Sequence, residues 1–390
     1  MHRLLAVLFL ICPFMSAHEH QHFVVANQPN EAARSGGVIP TLDTKGDVYK
    51  TEGPNDFEIY GTTVGDKKLI MVYTHFKDTG VPKETTQETE QRMFGDGRFL
   101  DIFHKQSYGK LKLAITHVHG WREMPRPQKE NDPVTTDGHR QMFVDIFGLF
   151  PEINFFDYDY IVAKLPGRGN FAFGERKDKA IPYRDGFIFH AVNIGSNNPG
   201  VLAHEVAHCM GLPDIYTYGD LQPKNPAGPW DLMSSGGGAA GFIGWHRHKL
   251  GWMDDDRKAY LTKGIHEIDL TPLDAKGGVS MIVVPVDQPE GPSKVYVVEI
   301  GQPPIPGKDE MPYPAGVLVY SVNATLASGE NPVVVHGRDG LNVDATYRTG
   351  HTFHDREAPL KVEVGEALKG GGFKVKVEVT SKGAVPDNKQ

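Results

Sequence analysis

The chain has 390 residues, of which 39% are hydrophobic and 23% charged, and a formal net charge of -8. That length leaves room for two domains with their own cores, and the composition excludes a globally disordered chain. A mildly acidic balance without any basic stripe argues against nucleic acid as a partner.

In chain order, Met1-His2-Arg3, the apolar run Leu4 to Phe14 and the small residues Ser16-Ala17 read as a signal peptide over residues 1–17, so the mature protein is expected to be secreted. The run is too short to span a bilayer, and no other stretch predicts a membrane span. Of the two cysteines, Cys12 lies in this leader, so Cys209 has no partner for an internal disulfide and is read as a small buried residue. Residues 18–65 are rich in Gly, Pro, Thr and Asp, lack periodicity and predict a loosely structured N-terminal extension or short pro-segment. Within it, His18, His20 and His22 are read as part of a polar, flexible terminus.

From residue 66 to 254, strand and helix patterns interleave. Lys68 to Phe76, Leu111 to Thr116, Tyr158 to Leu165 and Gly186 to Val192 have the apolar runs of buried strands. Glu84 to Phe94, Arg98 to Gln106, Gln141 to Leu149 and Leu202 to Met210 have helical spacing. This is an α+β (or α/β) catalytic domain. From 255 to 390 the pattern changes to short β-rich runs at His266 to Leu270, Ser280 to Val286, Lys294 to Ile300, Gly316 to Val322, Pro332 to Val335 and Phe373 to Val379. Gly, Pro and Asp turns separate them, which predicts an all-β sandwich domain. Lys382 to Gln390 reads as a frayed tail.

One segment carries chemistry: His204-Glu205-Val206-Ala207-His208-Cys209-Met210-Gly211-Leu212-Pro213-Asp214. On a helix, residues four apart share a face, so His204 and His208 can offer imidazole nitrogens to one zinc ion. Glu205, beside the first of them, can accept a proton from a water that the metal has acidified. A catalytic zinc site usually has three protein ligands and one open position. A glutamate from a second helix downstream is ruled out, because none occurs between Glu205 and Glu267. The alternative is a sharp turn at glycine that returns a ligand three residues later. Gly211 suits the left-handed end of the helix, and the residue delivered is Asp214. His246 and His248 are rivals for the third position, but their spacing carries no geometric reason. A structural zinc site, normally closed by four ligands, fits this segment less well.

His204 to Asp214, Ile215-Tyr216 and Gly228-Pro229-Trp230-Asp231-Leu232-Met233-Ser234 together resemble the immune inhibitor A family of secreted bacterial metallopeptidases, within the metzincin clan. Met71 to Thr79, Ser107 to Leu111, Trp245 to Trp252 and Val295 to Glu299 extend the resemblance thinly over residues 66 to 330. It implies a metzincin-like catalytic fold, His204, His208 and Asp214 as zinc ligands, Glu205 as base, and Met233 in a turn beneath the metal. The acidic, Gly-rich stretch common in the family is reduced here to Asp157-Tyr158-Asp159, so a calcium ion is possible but unsupported. Met233 is followed by Ser-Ser-Gly-Gly-Gly rather than by a tyrosine that could stabilise an oxyanion, which leaves Tyr216 or Tyr218 for that role or for packing. The reading is a zinc endopeptidase acting on protein or peptide substrates, with Gly186 to Val192 as a strand that could align them. The competing readings are an inactive secreted binding protein of the same fold and a zinc hydrolase of some non-peptide bond.

Overall fold

After a two-residue strand β1 (Arg34–Ser35), the chain builds its first layer on β2 (Gly65–His75). The buried stretch of β2 is apolar almost without interruption, and its two sides go to different places. Leu69, Met71 and Tyr73 enter one hydrophobic cluster, and Ile70 and Val72 enter another. A strand buried on both faces is the mark of a parallel sheet with helices on either side. Here α1 (Thr86–Phe94) and α2 (Arg98–Gln106) cross from β2 to β3 (Leu111–Glu123), and α3 (Thr136–Leu149) crosses from β3 to β4 (Tyr160–Lys164). Short strands β5 (Phe171–Gly174), β6 (Ile181–Tyr183) and β7 (Gly186–Ile188) follow, then β8 (His190–Ile194) and α4 (Pro199–Cys209). The sheet order is β3-β2-β4-β8-β5, parallel throughout except for β5, which runs antiparallel at the edge. Helices α1, α2 and α4 share one cluster with the Leu69 side of β2, whereas α3 packs on the Ile70 side through Met142, Phe143, Ile146 and Phe147.

Helix α5 (Gly244–Lys249) then leads to strands β9 (Lys258–Leu261), β10 (Gly264–Leu270), β11 (Met281–Pro285), β12 (Lys294–Ile300), β13 (Val317–Asn323), β14 (Val333–Val335), β15 (Thr352–His354), β16 (Leu360–Ala367) and β17 (Phe373–Val379). They form a six-stranded sheet, β1-β9-β11-β12-β13-β14, and a four-stranded antiparallel sheet, β10-β17-β16-β15. One apolar cluster holds Ile282, Val298 and Val319 of the first sheet with Leu270, Val362 and Val375 of the second. The other face of the six-stranded sheet, through Val283, Val297, Leu318 and Tyr320, belongs to the same cluster as α4. The protein is therefore a mixed α/β structure with several sheets and few helices.

The computed structural model describes residues 34–35, 37–45, 50–57, 59–130, 135–167, 169–174, 180–234, 241–301, 315–338, 340, 344–355 and 360–380, all within the unit Ala32–Gln390. The expected signal peptide, His18, His20, His22 and the tail from Lys382 lie outside them. Among the described residues, no helix is long and apolar enough to cross a membrane.

One expectation is corrected. The single strand read over Gly186 to Val192 is divided: β7 pairs with β6, whereas β8 joins the main sheet. There β8 is enclosed by β4 and β5, so its backbone groups are already used and it cannot pair with a substrate. Part of the segment 18–65 also has a definite place. Thr63 donates its hydroxyl to the Leu250 carbonyl, and its own carbonyl accepts from Trp252 Nε1 at 2.9 Å.

Because Phe143 is fully buried between α3 and the sheet, Phe143→Ala should lower the unfolding free energy by about 3–5 kcal/mol. Urea unfolding of the two proteins measures this, and a loss below about 1 kcal/mol would contradict the packing described.

Candidate metal centre

Helix α4 begins at Pro199, whose missing N–H costs nothing at a first helical turn, and the Asn198 side chain accepts from Gly200 N at 2.8 Å. Residues Leu202, Ala203, Val206 and Ala207 bury it in the main core, and Cys209 is buried there too, as its sequence context suggested. His204 and His208 project together, their ring centroids 4.7 Å apart and nearly perpendicular.

Backbone carbonyls decide which nitrogen of each ring is available. His204 Nδ1 donates to Leu232 O at 2.9 Å, and His208 Nδ1 donates to Leu212 O at 2.8 Å. A carbonyl can only accept, so in a neutral ring the proton is on Nδ1 and Nε2 carries a lone pair. The helix ends at Gly211, whose φ of 94° lies in the left-handed region. A Cβ there would come within 2.5 Å of Asn55 Oδ1 and 2.9 Å of the Tyr60 ring, so the position excludes any other residue on two counts. The turn delivers Asp214 as the spacing required. Its Oδ1 is 3.0 Å from His204 Nε2 and 3.3 Å from His208 Nε2.

Three lone-pair-bearing atoms thus face one another in a buried site. While both rings are neutral, Asp214 Oδ1 has no hydrogen-bond donor despite those short distances, because both Nδ1 protons point elsewhere. This arrangement is stable only with positive charge between the atoms, and it fits a metal ion. Among the described residues, His204, His208 and Asp214 are the one His/Cys/Asp/Glu group able to hold one. Protons satisfy the same need. Burial opposes charge on His204, but the Asp214 carboxylate overrides it and pushes the imidazole up to about 9. Burial would likewise raise the Asp214 carboxyl, yet the two imidazoles hold it well below the ordinary range.

Glu205 is 7% exposed, and burial pushes its carboxyl above the usual value, with the two imidazoles pulling it partly back. Met233 is fully buried in the core cluster, and its carbonyl accepts from Ile215 N at 3.3 Å, which joins its loop to the chain just after Asp214. Tyr216 stacks on His204 at 6.3 Å between centroids. Tyr218 donates its hydroxyl to Asp214 Oδ2, so the structure uses it to hold this carboxylate. Of the rival ligands, His246 lies between Asp231 and Glu52, and His248 faces Lys258 and Trp245. Asp159 accepts from Lys67 at 3.0 Å and from the Lys68 backbone. Ser234 donates to Gly228 O at 2.6 Å, and the Ser-Gly stretch from 235 lies outside the described residues.

One contributor was missed in the sequence. Ser328, after β13, accepts from Asp214 N through Oγ at 2.9 Å, and Gly329 N donates to Asp214 O at 3.0 Å. Nothing in the local pattern Ala327-Ser328-Gly329 signals contact with a residue more than a hundred positions earlier.

Residues 176–266 match the family described as immune inhibitor A peptidase M6, catalytic domain. No curated protein matches the chain. Among solved structures, a chain in the structure of a chaperone–substrate complex is similar at 11% identity, covering 48% of this chain and 36% of that one, with a TM-score of 0.26. Catalytically inactive OgpA from Akkermansia muciniphila, in complex with an O-glycopeptide (glycodrosocin) substrate, is similar at 12% identity over 78% of this chain and 95% of its own, with a TM-score of 0.25. This chain thus spans little more than a third of the first of them, and scores this low carry no argument about fold or chemistry. The part of the chain that holds α4, the Gly211 turn and α5 thus matches the immune inhibitor A peptidase family, the one its motifs resemble.

Proposed function

We propose that this protein is a secreted zinc-dependent endopeptidase in which His204, His208 and Asp214 hold one zinc ion and Glu205 is the general base. The observation that carries the reading is the convergence of two imidazole Nε2 atoms on an undonated carboxylate oxygen, inside a peptidase-family segment. A buried set of two nitrogens and one oxygen suits zinc better than the hard cations that prefer all-oxygen cages. When bound, zinc supplies Lewis acidity that polarises a scissile carbonyl and acidifies a water. Glu205 would take the proton from that water and pass it to the leaving amine, a task that a carboxyl raised by burial performs better than an ordinary one.

The Gly211 turn, Asp214 and the buried Met233 support a metzincin-like catalytic region over residues 66–254, and the apolar cluster shared by two sheets supports a β-sandwich over 255–390. Substrates would be proteins or peptides in extended form. The strand suited to pair with them is β5, which packs against α4 and is the antiparallel edge of its sheet. Export rests on the leader read over residues 1–17.

Glu205→Gln should lower kcat on casein by about 10²–10⁴-fold, with bound zinc unchanged by atomic absorption. Unchanged casein cleavage would remove Glu205 from the mechanism. Asp214→Ala should lose zinc during dialysis against a chelator concentration at which the wild-type protein keeps one equivalent. Equal retention by the two proteins would exclude Asp214 as a ligand.

A further inference from the structure

Residues 50–63 precede the first long strand and have the composition of a dispensable extension, yet they pack against the segments that hold the metal site. Glu52 is almost wholly buried. Its Oε1 lies 2.9 Å from His246 Nε2, and its Oε2 accepts from Trp245 Nε1 at 3.2 Å. On the other side of the ring, His246 Nδ1 lies 2.8 Å from Asp231 Oδ2. Asp231 spends its remaining capacity on backbone: Oδ1 accepts from Met233 N at 2.6 Å, and Oδ2 accepts from Ile243 N at 2.8 Å. Between Asp231 and Met233 stands Leu232, whose carbonyl accepts from His204 Nδ1.

The chemistry of the line is fixed by its charges. Burial opposes a charged His246, but Asp231 and Glu52 outweigh it and push the imidazole up to about 10. At neutral pH the ring therefore carries both protons and donates to a carboxylate on each side. The same segment touches the backbone that carries the other candidate ligands. Asn55 Nδ2 donates to Met210 O at 3.0 Å, and Asn55 with Tyr60 occupies the space beside Gly211. The Lys50 carbonyl accepts from Ser328 N at 3.0 Å, and Ser328 Oγ in turn accepts from Asp214 N.

We propose that Glu52 is a positioning residue for the metal site, acting through His246 and Asp231 on the Leu232 carbonyl and so on the His204 ring, and that residues 50–63 are a permanent part of the enzyme. Any maturation cut then falls before Lys50. The proposal rests on the reading of His204, His208 and Asp214 as zinc ligands. Without the Glu52 charge, His246 keeps one carboxylate partner instead of two. The loop that carries the Leu232 carbonyl is then held less firmly, and His204 Nε2 loses its fixed aim.

The test uses the full chain and its E52Q and E52A variants, with zinc affinity measured by competition against a chromophoric chelator. Gln at 52 keeps an acceptor oxygen but no charge, and Ala removes both. Each variant should bind zinc about 10–100-fold more weakly than wild type, while still unfolding cooperatively. The visible spectrum of the cobalt-substituted protein should change as well, which a purely structural loss of stability would not produce. Should E52A fail to fold, E52Q carries the comparison. Wild-type affinity and an unaltered cobalt spectrum in E52Q would overturn the proposal while leaving the ligand assignment intact, whereas a wild-type protein without zinc affinity would overturn both. Mass spectrometry of zinc-loaded protein from culture should find an N-terminus at or before Lys50, and a zinc-loaded species starting beyond Tyr60 also overturns the proposal.

Discussion

Two backbone carbonyls, Leu232 O and Leu212 O, determine what the site can be. By taking the Nδ1 protons of His204 and His208, they leave both Nε2 lone pairs directed at one oxygen of Asp214. An imidazole free to choose its tautomer would donate to that carboxylate and form an ordinary buried hydrogen bond. Held as they are, the neutral rings and the carboxylate need a metal ion or an added proton between them. Both carbonyls come from irregular backbone, one in the Gly211 turn and one in the loop before Met233. The precision of the helix is therefore of little use unless those two loops are equally well held.

The rest of the architecture reads as the means of holding them. The six-stranded sheet is buried on both faces, and one of these belongs to the same core as α4. Its connection after β13 sends Ser328 and Gly329 to the backbone of Asp214, while Tyr218, packed on Gly329, holds the Asp214 side chain. The C-terminal strands thus contribute directly to the candidate site. A β-rich unit attached only by a linker could recruit substrate, but it could not fix the backbone of a ligand in this way.

How much of this was legible depended on distance along the chain. The His204–His208 pair, the Gly211 turn and Asp214 lie within eleven residues, so helical period and glycine stereochemistry suffice to assemble them. Strands such as β2 and β12 were legible because long buried apolar runs have few alternatives. The capping box of α1, Thr85 with Glu88, and the strict alternation Leu360, Val362, Val364 in β16 were also present in the sequence and passed unread. The split of residues 186–194 between β7 and β8 is different, since pairing with β6 on one side and β4 on the other is a tertiary choice. Glu52, His246 and Asp231 were beyond reach for the same reason: almost two hundred residues separate the first two, and only the fold makes the imidazole a bridge.

Burying that bridge is costly, which is itself informative. Glu52, Asp231 and Glu299 are each at most 1% exposed, and carboxylates removed from water lose several kcal/mol of solvation that ion pairing seldom repays in full. A core built only for stability would fill this space with aliphatic side chains. Glu299 shows the strain of the arrangement: burial pushes its carboxyl up to about 7, although it accepts from Gly244 N and the Tyr320 hydroxyl, both at 2.8 Å. These groups meet at the start of α5, where the six-stranded sheet, the segment 50–63 and the loop beneath His204 come together. Apolar packing is nondirectional and would leave that loop free to slide by fractions of an ångström. Hydrogen bonds from charged groups set distance and angle, and a metal ligand aimed by a backbone carbonyl needs both.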